Sequence, residues 1–170
     1  MTTAANVIKG RATVYFCTAG TTVFSTSTFT NVGYTQGGGF KLTISRDIAD
    51  IEVDQETVPI DWEETKANHK IEFTFAEVTL ANLARALGYT ASTSALTLSQ
   101  DIGYAALAMQ VAAPPIGTNT SNSTRTYLYP DVMPDSDVVI AAGEKGAAQN
   151  VPASFRWFKR RTQLPTATDA

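Results

Sequence analysis

A run of carboxylates from Asp47 to Glu64 is the part of this sequence with the greatest capacity for chemistry. It holds eight Asp and Glu residues and no Lys or Arg. Paired carboxylates can hydrolyse glycosidic bonds, clustered carboxylates can bind calcium, and a row of them can line a passage with negative charge. The first alternative lacks an aromatic-rich sugar cleft, and the second lacks the spacing of an EF-hand loop. A charged surface or lining is therefore favoured.

The other reactive side chains do not form a catalytic set. His69 is the only histidine and has no nucleophile motif near it, so we predict a surface histidine. Cys17 is the only cysteine, which excludes an intrachain disulfide and a cysteine zinc site and indicates a buried, inert thiol. The glycines at 37–39 predict a turn, because no phosphate-binding pattern surrounds them. We expect no enzyme activity, no metal site and no cofactor.

A basic cluster near the C-terminus is the counterpart of the acidic run. It follows two aromatic residues and could contact nucleic acid, but the patch is small and the chain has a net charge of -3 and a pI near 5.1. A solvated strand end, or a contact with the acidic segment of another subunit, is favoured. The candidate interface or lumen residues are Asp47, Asp50, Glu52, Asp54, Glu56, Lys159, Arg160 and Arg161.

The elements that must position these residues are mostly strands. Apolar and polar residues alternate at 40–45, 71–75 and 151–157, which predicts half-buried strands, and residues 12–19 form a further strand-like run. The apolar run 104–113 is ambiguous between a strand and a buried helix. One helix is predicted at about 79–88, with an N-cap at Thr79 and a terminating Gly88. Its predicted buried stripe consists of Leu80, Leu83, Ala84 and Leu87.

These elements fit one domain of 170 residues. We expect an N-terminal arm at 1–12, a projecting acidic loop or hairpin at 45–65, and a flexible tail at 162–170. Eight like charges would repel one another in a core, so the acidic segment is expected to project outward. The sequence shows neither a secretory signal nor an apolar run long enough for a membrane anchor.

Three motifs give the chain a family resemblance. They are GYTQGG at 33–38, the segment from Asp54–Gln55 to Asp61, and EVTLANLARALG at 77–88, followed by a last strand VPASFRWFK. In these motifs the chain resembles the tail tube (major tail) proteins of long-tailed bacteriophages. The resemblance covers about a third of the chain well.

The resemblance implies a mainly β fold: two packed antiparallel sheets rolled toward a barrel, with one flanking helix. It also implies hexameric rings that stack into a tube around a tape-measure protein. The other partners would be tail terminator and tail tip proteins, with DNA passing through without sequence-specific binding. The protein would be located in the virion tail after assembly in the bacterial cytoplasm.

Two alternatives remain open at this point. One is another β-rich virion component, such as a tail terminator, a head decoration protein or a contractile-type inner tube. The other is a carbohydrate-binding β-sandwich, which would need surface aromatic residues, and Tyr127, Tyr129 and Trp157 could supply them.

Overall fold

A computed structural model of the chain describes residues 12–51, 61–91, 95–97, 103–112, 124–135, 137–138, 150–157 and 164–169. Most of these residues lie in β-strands. The strands in this part of the chain are β1 (Thr13–Thr18), β2 (Thr30–Asn31), β3 (Lys41–Ile51), β4 (Asp61–Phe75), β5 (Thr90–Ala91), β6 (Leu96–Thr97), β7 (Ala105–Ala112), β8 (Thr124–Pro134), β9 (Val151–Trp157) and β10 (Thr166–Asp169). The helix is α1 (Leu80–Leu87), and a short 3-10 turn lies at Gln36–Gly38.

Eight of these strands form one antiparallel sheet in the order β2-β1-β7-β8-β9-β4-β3, with β10 paired to β8 beside this path. Strands β5 and β6 form a separate small pair. The large sheet rolls on itself: Phe16 of β1 packs 5.3 Å from Phe155 of β9 and 6.4 Å from Phe73 of β4, measured between ring centroids. The prediction of a mainly β fold of antiparallel strands rolled toward a barrel, with one flanking helix, is confirmed, and the strands form one large sheet where two packed sheets were predicted.

The main core lies inside this roll. Its fully buried side chains include Ile71, Phe75, Leu107, Val132 and Phe155. The alternation noted at 71–75 therefore marks the core-facing side of β4, as predicted. Burying a side chain of this size stabilises a fold by about 1.5–3 kcal/mol.

Strand β7 settles the ambiguous run at 104–113. Leu107 and Met109 face the main core, whereas Ala106 and Ala108 face a second cluster that contains Phe29. These four side chains of β7 are completely buried. A central strand that is covered on both faces has an apolar run instead of alternation, so its periodicity resembled that of a buried helix.

A strand lies within the segment 162–170, for which a flexible tail was predicted. Thr166–Asp169 forms β10, which pairs with Arg125–Leu128 of β8. Strand β8 pairs with β9 only at Val132–Pro134, so β10 covers a separate part of that edge. An edge that would otherwise be unpaired, together with threonines that favour strands, accounts for the pairing.

Helix α1 begins and ends as predicted but buries different residues. The hydroxyl of Thr79 accepts a hydrogen bond from the backbone of Asn82, and Gly88 terminates the helix with a φ of 72°. The buried residues are Asn82, Ala84 and Ala86, whereas Leu80 is 41% exposed. Short side chains allow the helix backbone to approach the sheet closely, and the predicted leucine stripe is therefore only half right. No helix in the described ranges has the length and apolarity to span a membrane.

Candidate assembly surfaces

Strand β3 leaves a long edge of the sheet open. All eleven of its residues pair with β4, and no other described strand pairs with its second edge. Ten of the eleven side chains are exposed. An exposed edge presents unpaired N–H and C=O groups to which another chain can add a strand.

Strands β3 and β4 continue beyond the core as a two-stranded ribbon. Residues 70–75 of β4 pair with β9, but Asp61 to His69 pair only with β3. We call Ile44–Ile51 together with Asp61–His69 the β3–β4 ribbon. Its nine β4 residues span about 30 Å. A two-stranded ribbon is marginally stable alone in water, so a surface that covers it would stabilise it.

One face of the ribbon carries exposed isoleucines although it lies outside the core. Side chains alternate along a strand, so this face continues from half-buried Leu42. It carries Ile44, Arg46, Ile48 and Asp50. Ile44 is 51% exposed and Ile48 is 59% exposed. Ile44 was predicted to face the core, and it does not because the sheet that covers Leu42 ends before it.

The ribbon carries two of the predicted contact residues. Asp47 and Asp50 are both exposed on β3, and Asp47 lies opposite Lys66 in the strand register. The register shifts by one residue immediately after this pair, which marks a β-bulge. The other predicted contact residues lie outside the described residues: Glu52, Asp54, Glu56, Lys159, Arg160 and Arg161.

Two lysines contact Glu72 on the polar face of the sheet next to the ribbon. Lys70 Nζ lies 2.9 Å from one carboxylate oxygen of Glu72, and Lys41 Nζ lies 3.4 Å from the other. The hydrogen bond from Lys70, helped by Lys41, lowers the pKa of Glu72 below its ordinary value of 4.5. The Lys41–Glu72 pair joins β3 to β4, whereas Lys70 and Glu72 both lie on β4. Both exposed pairs contribute little to stability.

His69 packs into an aromatic cluster at the base of the ribbon, which corrects its prediction as a surface residue. Its Nδ1 lies 3.1 Å from the hydroxyl oxygen of Tyr129, and its ring lies 5.2 Å from that of Trp157. Burial, with a smaller contribution from the charge of Tyr127, raises the pKa of Tyr129 to about 12. His69 shares the alternation of Ile71, a signal that could have revealed its inward direction.

The positions of the aromatic residues in this cluster argue against the carbohydrate-binding alternative. Tyr129 is only 3% exposed, and Tyr127 and Trp157 are half-buried against the core. The three aromatic residues therefore belong to the interior and do not form a sugar-binding platform.

No family model and no curated protein matches the chain. Among solved structures, it is similar to a chain in a cryo-EM structure of the anti-feeding prophage baseplate, which was six-fold symmetrised. The TM-score is 0.51 at 11% identity, and the match covers 99% of this chain and 97% of that chain. At this identity the likeness shows the fold alone.

Asn82 is a buried polar residue that the sequence analysis missed. It is 2% exposed, and its Nδ2 donates hydrogen bonds to the carbonyl oxygens of Val32 and Glu77, each over 3.0 Å. Its Oδ1 accepts a hydrogen bond from Arg85 over 2.8 Å. Asn82 therefore joins α1 to the glycine-rich segment that precedes β3.

Arg85 was also missed. Its guanidinium is half-buried over the ring of Phe16, 5.8 Å from the ring centroid, and burial lowers its pKa. It lies near the C-terminus of α1, where a cation favours the helix dipole. A cation in a helix of leucines and alanines gives no sign in the sequence that it will be half-buried.

The described ranges contain no group of three His, Cys, Asp or Glu side chains that could hold a metal ion.

Proposed function

We propose that this chain is a structural subunit of a phage-tail-like particle, and specifically a tail tube protein whose copies form hexameric rings that stack into a tube. The observation that carries the proposal is the open edge of β3, continued by a ribbon with exposed isoleucines. The fold shared with a baseplate chain of the anti-feeding prophage supports the broader role.

The sheet order favours a ring. Strand β3 lies at one end of the sheet path and β2 at the other, so pairing of β3 with β2 of the next copy would join two different edges. Such a heterologous contact closes into a ring when the rotation between copies divides a full turn, and otherwise gives a helical filament. Edge pairing would satisfy the backbone groups of β3 and remove an edge that is prone to aggregation.

The charge of the ribbon is compatible with a conduit for DNA. Asp47, Asp61 and Glu63 are exposed in its described part. Carboxylates in a lumen would repel phosphates and let DNA pass without binding, the reverse of a basic nucleic-acid surface. In this proposal the chain is not an enzyme. Its partners are further copies of itself, a tape-measure protein, and tail terminator and tip proteins within the virion.

A pair of edge lysines tests the proposal. Lysines on an edge strand prevent edge-to-edge pairing. Thr43→Lys with Ser45→Lys places two charges on exposed positions of β3 and should leave the chain monomeric in analytical ultracentrifugation, whereas the wild type forms rings or larger species. The matched control, Thr22→Lys with Thr26→Lys, adds the same charge to an exposed loop and should still assemble. Equal assembly of both variants would refute the role of β3.

A baseplate component is the second candidate, because the similar solved chain belongs to a baseplate. A protein of this kind would form rings that do not stack on one another without other proteins. Tubes formed by the purified chain alone would favour the tail tube, and single rings at every concentration would favour the baseplate.

A further inference from the structure

We propose that the surface around Arg85 is a receptor for the β3–β4 ribbon of a second copy, in which the carboxylate of Asp50 accepts hydrogen bonds from the Arg85 guanidinium. This inference rests on the proposed self-assembly and adds to it the two surfaces that meet.

The guanidinium of Arg85 has no anionic partner within the described ranges. Its Nη1 donates to the neutral amide oxygen of Asn82, and its Cζ lies over the ring of Phe16. An arginine has five N–H donors and matches carboxylate geometry with two of them. A half-buried cation that is paired only with an amide and an aromatic ring retains both the charge and the donors to bind a carboxylate.

Two clefts meet at Arg85, one on each side of it. The first lies between α1 and the strand ends near Gly103, and its lining includes Phe155 and Ala84. The second lies along β1 and includes Cys17 and the hydroxyl-bearing side chains of Thr18 and Thr30. The surface thus combines a cation, hydroxyl groups and apolar side chains, which suits a segment that carries a carboxylate next to an aliphatic residue.

The ribbon is the segment of this chain with those properties. Asp50 is exposed, and its carboxylate has no hydrogen bond or ion pair with any described residue. It shares a face with Ile48, which is 59% exposed two residues away. The ribbon extends too far from its own core to be covered by it, so a second copy is the occupant that the charge of Asp50 and the exposed isoleucines select.

A charge swap tests the contact. We expect Asp50→Arg and Arg85→Glu each to raise the protein concentration needed for assembly about ten- to a hundred-fold, the effect of losing a charge-assisted hydrogen bond at an interface. The double variant Asp50→Arg with Arg85→Glu should recover most of the loss. Circular dichroism identifies any variant that fails to fold, and the milder Arg85→Gln then replaces Arg85→Glu, with the same direction of effect expected.

The outcomes separate this inference from the proposed function. A wild-type chain that assembles, with Asp50→Arg and Arg85→Gln assembling equally well, would overturn the inference and leave the proposed function intact. Two impaired single variants without recovery in the swap would overturn the pairing of these two residues. A wild-type chain that stays monomeric at all concentrations would overturn both.

Cross-linking supplies a second test that leaves Asp50 and Arg85 unchanged. Cys17 lines the receptor surface, so Ile48→Cys should cross-link to it between copies with a short bifunctional maleimide and give a ladder on a denaturing gel. The matched control Ala49→Cys lies on the opposite face of the same strand and should not cross-link. A ladder that persists when Cys17→Ser is added, or no ladder from assembled protein, would contradict the assignment.

Discussion

Replacing Asn82 with alanine tests how α1 is held on the sheet. The change removes the donors to the carbonyl oxygens of Val32 and Glu77 and the acceptor for Arg85. A hydrogen bond contributes about 1 kcal/mol net, and a buried acceptor left without a donor costs about 1–3 kcal/mol. With Asn82 only 2% exposed, water does not replace these bonds in the wild-type geometry. We therefore expect the free energy of unfolding to fall by about 2–4 kcal/mol.

Urea denaturation followed by circular dichroism measures this loss. The edge-lysine variant Thr43→Lys with Ser45→Lys is the background, because it should keep the chain monomeric during the titration. For a slope of about 2 kcal/mol per molar urea, a loss of about 3 kcal/mol lowers the midpoint by about 1.5 M. An unchanged slope would show that the change acts on stability and not on the compactness of either state.

Two further variants test whether the hydrogen bonds of Asn82 cause this loss of stability. Leu80→Ala, at a position of α1 that is 41% exposed, should lower the unfolding free energy by less than about 1 kcal/mol. Asn82→Asp keeps an acceptor for Arg85 but has no donor for the two carbonyl oxygens, so it should remain clearly destabilised. If Asn82→Ala cost no more than Leu80→Ala, the hydrogen bonds of Asn82 would not be what holds the helix.

Two other predictions follow from single residues. Gly33 has a φ of 85°, and a Cβ there would lie 2.6 Å from a carboxylate oxygen of Glu77, so Gly33→Ala should lower the unfolding free energy by about 1–3 kcal/mol. Gly37→Ala, at a φ of 70° with open space around it, should lose less in the same urea titration, and an equal loss would mean that the contact with Glu77 has no cost. The pKa of Tyr129 is raised to about 12, above the ordinary value of 10.0, because the fold keeps its hydroxyl neutral. The unfolded chain releases this proton at lower pH, so the free energy of unfolding should fall as pH rises from 10 to 12. Ultraviolet absorbance should show one tyrosine that ionises late, and Tyr129→Phe should remove that late step; a late step that persists would contradict the assignment.

Local patterns predicted the parts of the fold that depend on local chemistry. The alternation of Ile71 and Phe73 marks the core face of β4, and Thr79 and Gly88 mark the helix ends through capping geometry that needs no tertiary contact. Strands β7 and β10 could not be predicted from local patterns, because each depends on the elements that lie next to it in the fold. Alternation disappears in a strand that is covered on both faces, and β10 forms because part of the β8 edge is open.

The candidate surfaces were predictable only in part. Eight like charges without a cation indicated that the acidic segment projects from the core, and Asp47 and Asp50 do lie exposed on the ribbon. The exposed position of Ile44 was not predictable, because its alternation continues past the point where the covering sheet ends. Arg85 and Asn82 form their contacts only when α1 lies on the sheet, so no spacing in the sequence marks them.

Negative-stain electron microscopy of the concentrated, purified chain tests the central proposal most directly. We predict rings with six-fold symmetry that stack into tubes, and we predict that the edge-lysine variant forms none. A wild-type chain that remains a dispersed monomer at high concentration and at every salt concentration would contradict the proposal that this protein builds a tail tube.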